Sequence, residues 1–96
     1  MTKRKAHQIC IMTVIGGDQV GIIAKLSNAM AKANVNILDV NQRIMEDYFV
    51  MTMACDVAEA NISMDKIKKR IDKLAKEMSL TIAFQSEDIF KAMHRV

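Results

Sequence analysis

Proline and tryptophan are absent from this 96-residue sequence, glycine occurs three times, and only four residues are aromatic. With no Pro-, Gly- or Ser-rich linker, no repeat and no low-complexity tract, nothing divides the chain, and a single domain over residues 1–96 is expected. The two histidines, His7 and His94, stand at opposite ends. They leave no visible nucleophile–base pair and no HExxH metal motif, so neither an enzyme nor a cofactor is expected. Cys10 and Cys55 lie in apolar runs without a CxxC pattern or a histidine at ligand spacing, and read as buried free thiols. No apolar run approaches the roughly 20 residues that a membrane helix needs. Met1-Thr2-Lys3-Arg4-Lys5 leads into a strand-like pattern rather than a signal-peptide core, which points to a cytoplasmic protein away from membranes.

What is present is an ordinary globular composition, 51% hydrophobic and 26% charged. A chain this short has a modest core and gains from oligomerisation. The net charge of +3 comes from a basic arm at residues 1–6 and from the outer face of one helix. Such a face is usually solvated, so it does not by itself indicate nucleic acid.

All three glycines fall in Gly16-Gly17-Asp18-Gln19-Val20-Gly21, between the most apolar run and the first amphipathic segment. The stretch reads as a strand-to-helix turn whose backbone takes positive φ or approaches something closely. Asp18 is placed to cap the helix that follows. The free N–H groups of that helix would seat the carboxylate or phosphate of a small ligand. A tight structural connection would need the same residues.

In order, a strand runs from about His7 to Ile15, with Ile9, Ile11 and Ile15 on one face and Cys10, Met12 and Val14 on the other. Ile22, Ile23, Leu26, Ala29, Met30 and Ala33 predict a helix over about 20–33, with Asn34 closing it in place of glycine. From Val35 to Met45 the residues alternate, with Leu38, Val40 and Ile44 opposite Asp39, Asn41 and Arg43. Glu46-Asp47 turns the chain into a third strand, Tyr48 to Val57, apolar on both faces. This turn lacks the usual Asn-Gly signature, so register is left open. Ser63 caps a second helix with a core stripe of Met64, Ile67, Ile71, Leu74 and Met78. A fourth strand follows at Leu80 to Gln85, then a short helical tail over 87–96 carrying Ile89, Phe90 and Met93.

The order βαββαβ predicts an α+β, ferredoxin-like sandwich: a four-stranded antiparallel sheet with two helices on one face. In the split βαβ arrangement strands one and three are central, and these are the strands that are apolar on both faces. Two helices cover one face only, so the other needs a cover, and a second copy of the chain is the simplest.

These residues resemble a known family. Val14-Ile15-Gly16-Gly17-Asp18-Gln19-Val20-Gly21-Ile22, the amphipathic helix after it, and Asn34-Val35-Asn36-Ile37-Leu38-Asp39 look like the ACT domain, a small-molecule sensing module of amino-acid metabolism. Ile37-Leu38-Asp39, Asp47-Tyr48-Phe49 and the tail from Glu87 to Val96 are similar to stand-alone single-ACT-domain proteins related to glycine-cleavage regulators. The resemblance implies an amino acid bound at a homodimer interface, between the first loop of one copy and the second strand of its partner. Gly21 matches the glycine that opens the helix, Asp18 the polar residue before it, and Asn36 the asparagine at the start of strand two. The ligand-binding set it implies is Gly17, Asp18, Gln19, Val20, Gly21 and Asn36, with a regulated protein partner. Many members carry Arg-Pro where this chain has Gln19-Val20, and some a polar side chain at Gly16.

Two other classes share this fold. RNA-binding domains stack bases on aromatics of the central strands, but strand one has none and Tyr48 and Phe49 lie at the start of strand three. Copper carriers need a CxxC in the first loop, where Gly16-Gly17-Asp18 stands. An interaction module that docks through its sheet without a small ligand is the remaining alternative.

Overall fold

The computed structural model describes residues 7–93; the basic arm and the end of the tail, including His94, lie outside them. The elements are β1 (Ile9–Gly17), α1 (Ile22–Lys32), β2 (Asn36–Met45), β3 (Tyr48–Asp56), α2 (Met64–Met78), β4 (Leu80–Ser86) and α3 (Glu87–Met93). The sheet is antiparallel with strand order β2-β3-β1-β4, so the two strands that are apolar on both faces are central, as the pattern predicts.

Strict alternation builds the core. Cys10, Met12 and Val14 of β1 pair with Cys55, Met53 and Met51 of β3, and all six are buried on the helix-covered face. Ile22, Leu26 and Met30 of α1, with Ile67 and Ile71 of α2, close over them. Six of the eleven fully buried residues are methionine or cysteine among these branched neighbours, flexible or small side chains that fill irregular gaps. Burial raises both thiols out of reach of ordinary pH, Cys55 to about 12, so this pair behaves as core.

The helix ends follow local chemistry. Ser63 Oγ accepts from the Lys66 N–H at 3.3 Å, as expected of a cap. Asn34 takes φ of 57° just past α1, the left-handed turn that ends a helix when glycine is missing. Glu46 takes φ of 59° in the two-residue β2–β3 turn, which explains how a hairpin without Asn-Gly still closes in register from Met45↔Tyr48.

Three expectations are corrected. β1 runs to Gly17, because Gly16 and Gly17 continue the ladder opposite Phe49 and Tyr48, so the connection proper is only 18–21. In β2 a bulge between Ile37 and Asp39 shifts the alternation, so Ile37 rather than Leu38 stands opposite buried Cys55. The second face of the central strands is only partly covered. The short α3 packs against β1 and β4, with Gln85 Nε2 at 2.9 Å from Met93 Sδ, while Ile15 and Tyr48 stay 45% and 58% exposed.

Candidate functional site

The three glycines answer to three different constraints. A Cβ on Gly16 would lie 2.5 Å from Leu80 Cδ2 and 3.3 Å from the Ser79 carbonyl oxygen, so the strand needs glycine there to approach the start of β4. Gly21 holds φ of 93°, a left-handed conformation that a branched residue strains to adopt. Gly17 has neither demand: nothing lies within 4 Å of a Cβ built on it, and it has no positive φ.

Asp18 does not cap α1. The N-cap residue is Gly21, no side chain bonds the first turn, and that turn holds no acidic residue. Gln19, Val20 and Gly21 intervene between Asp18 and the first residue of the helix, with Gly21 in the N-cap position. The Asp18 N–H instead donates to the Asp47 carbonyl at 2.9 Å, which ties the loop to the β2–β3 turn. Gln19 Nε2 donates to the Met78 carbonyl at 2.8 Å, satisfying a terminal carbonyl of α2 and anchoring the loop from the other side. Val20 is fully exposed at the tip. The outcome is a loop pinned at both flanks, beneath a helix N-terminus whose partial positive charge no side chain offsets.

Asn36 lies elsewhere. It pairs with Asp56, and Asp56 pairs with Ile9, whereas Gly17 pairs with Tyr48 at the far end of the same strands. Eight residue steps separate these rows, about 27 Å at the antiparallel rise. Within one copy, Asp18 and Asn36 cannot touch one ligand.

Residues that the sequence reading passed over surround Asn36. Asp56 accepts from the Gln8 and Ala58 N–H groups at 3.1 and 3.0 Å and is paired with the His7 ring. The His7 contact first, and then the two N–H groups, hold its carboxyl down to about 2. A cavity of about 440 Å³ opens here, lined by Asn34, Val35, Asn36, Asp56 and Glu59 among others. Asn34 Nδ2 donates to the Glu59 carbonyl and Asn61 Nδ2 to the Lys32 carbonyl, so side-chain amides fix the walls. The alternation of the third strand, read as running to Val57, did not single out Asp56, because its three donors come from residues distant in sequence or beyond the strand. None of the cavities of about 440, 410 and 240 Å³ is lined by residues 17–21.

A family model described as ACT domain matches residues 8–85, nearly all of the strands and both long helices. The chain belongs to the ACT domain family. Relatives of this ACT domain include the UPF0237 proteins of Clostridium acetobutylicum, 45% identical, and Listeria innocua, 43% identical, each over 86 residues that span 90% of this chain and 97% of the relative. Among solved structures, an ACT domain protein from Streptococcus pneumoniae superposes with a TM-score of 0.75 at 27% identity, covering 93% of this chain and all of that one. A putative glycine cleavage system transcriptional repressor shares the fold at TM-score 0.74 and 18% identity, over 85% of this chain and 46% of its own. Among the described residues of this ACT domain, no group of three His, Cys, Asp or Glu could hold a metal ion, and no helix is long and apolar enough to cross a membrane.

Proposed function

We propose that this ACT domain is a ligand-sensing regulatory module that works as a homodimer. In this reading an amino acid lies between the Gly17–Gly21 loop of one copy and the Asn36 end of β2 in its partner. The observation that supports the reading is that the glycine loop and Asn36 lie towards opposite ends of the edge strand β2. β2 presents free backbone groups and exposed Leu38, Val40 and Ile44 along its length. Two such edges paired about a two-fold axis run antiparallel, so Asn36 of one copy arrives beside Met45 of the other. Asp18, bonded to the β2–β3 turn, is waiting at that same corner. A helix N-terminus lacking a cap favours the ligand carboxylate there, and Asp18 favours its ammonium. Gly17, Gln19, Val20 and Gly21 contribute backbone and a covering side chain.

A thermal-shift screen against the twenty amino acids tests this directly, with sizing by light scattering alongside. The expected result is a dimer whose melting temperature rises with one ligand; a ligand at one hundred times its Kd adds about 2.7 kcal/mol. A monomer at micromolar concentration removes the shared site. A dimer with no ligand response supports the interaction-module reading instead, for which the exposed Ile15, Tyr48 and Val20 supply the apolar surface. If a ligand is found, calorimetric titration of Asp18→Ala, Asn36→Ala and the double variant measures their coupling. Additive losses would separate the two residues.

A further inference from the structure

The charge of this domain is divided between its layers. Helices α1 and α2 carry eight lysine or arginine residues and three acidic ones, a net of +5, whereas the other described residues carry two cationic and eight acidic groups, a net of −6. Neither of the two ion pairs among the described residues, His7 with Asp56 and Lys91 with Glu87, neutralises a cation on these helices. A uniformly solvated face would scatter such charges, but here four of them converge. Lys25 and Lys32 of α1 face Arg70 and Lys73 of α2 across a groove of about 410 Å³. The floor is apolar, built from the half-buried Ala29 and Leu74, and Glu77 is the single acidic group in the wall.

We propose that this interhelical groove docks an acidic, apolar-anchored segment of a partner protein. The cations on both banks attract carboxylates along the flanks of such a segment, and the Ala29–Leu74 floor receives its hydrophobic side chains. A nucleic acid fits less well, since neither α1 nor α2 carries an aromatic residue on which a base could stack. The docking surface lies on the helix layer, and although its Lys25 end adjoins the glycine loop through the Lys25 N–H to Gly21 carbonyl bond, no residue of β2 or of 17–21 lines it, so it does not depend on the amino-acid site.

The test is fluorescence anisotropy with the full chain and a labelled helical peptide of roughly 16 residues, leucine on one face and glutamate on its flanks. Saturable binding at about 50 mM salt is expected, weakening as salt rises. Arg70→Glu combined with Lys73→Glu should lower the affinity about tenfold or more. Lys66→Glu combined with Lys76→Glu makes the same charge change on α2 outside the groove and should do much less. If the first pair disturbs folding, Lys25→Glu with Lys32→Glu reads out the opposite bank. Equal losses from the groove and off-groove pairs would overturn the proposal, since any positive surface would then suffice. So would equal binding of a peptide with serine for leucine, equal or tighter binding of a single-stranded oligonucleotide of matched charge, or no binding at all.

Discussion

The two ends of the sheet are built on opposite plans. At the Asn36–Asp56 end, side chains of β3, of the segment after it and of the α1–β2 connection bond the backbone of neighbouring segments. Asp56 gathers three donors, and Asn34 and Asn61 each tie an exposed carbonyl. At the Gly17–Tyr48 end the loop is held, among the described residues, by one backbone bond and the Gln19 amide, and it projects Val20 fully exposed. One end is preorganised by hydrogen bonds within the subunit. The other is shaped by backbone constraints and is left open for something to complete it.

Substituting the loop-end glycines one at a time should break that contrast unequally. Gly16→Val carries the largest expected effect, because its added atoms meet the Ser79 backbone as well as the Leu80 side chain. Destabilisation of about 3 kcal/mol is expected from overpacking, read as a lower urea midpoint. Gly21→Ala should cost about 1–2 kcal/mol, the penalty of a side chain in the left-handed region, although there is open space around it. For that reason Gly21→Val cannot test ligand binding cleanly: strain and obstruction would arrive together.

Asp56→Asn addresses the opposite end, with a deficit that is full above about pH 4 and shrinks in acid. The folded carboxyl lies at about 2, below its ordinary value of 3.8, so the unfolded chain takes up a proton first as pH falls. Stability from this group is therefore fully present above pH 4 and is lost on descending towards 2. Thermal melts between pH 5 and 2 should fall more steeply for the parent than for the variant. Parallel curves would show that the Asp56 cluster does not set the acid limb.

Gly17→Leu should have the smallest effect on folding, within about 0.5 kcal/mol, because its Cβ meets nothing within 4 Å. If the glycine loop seats a ligand, this variant loses the thermal-shift response while melting as the parent does alone. A retained response would place the ligand elsewhere.

Much of the architecture was legible because it depends on periodicity. Leu26 and Met30, or Met12 and Val14, repeat at the spacing of a helix or a strand, and Ser63 announces its helix through a local bond. The order of elements with right-handed crossovers then leaves β1 and β3 in the centre. The bulge at Leu38 was not legible, since a single inserted residue changes which side chains face the core without altering the alternation of composition.

The candidate site was readable only in part, and the glycines show why. The sequence by itself placed glycine at 16, 17 and 21 and so marked the connection, but it could not distinguish a close approach to Leu80 from a left-handed φ or from open space. Nor could it tell that Gly21 rather than Asp18 ends the turn, because capping depends on where three intervening residues send the chain. The tertiary structure decided those roles, together with the distance between Asp18 and Asn36. Chain order determines which residues enter each strand, whereas the pairing register determines which end of the sheet they occupy. Register is set by core contacts between strands far apart in sequence, so the two halves of the proposed site could be named from the sequence but placed only by the fold.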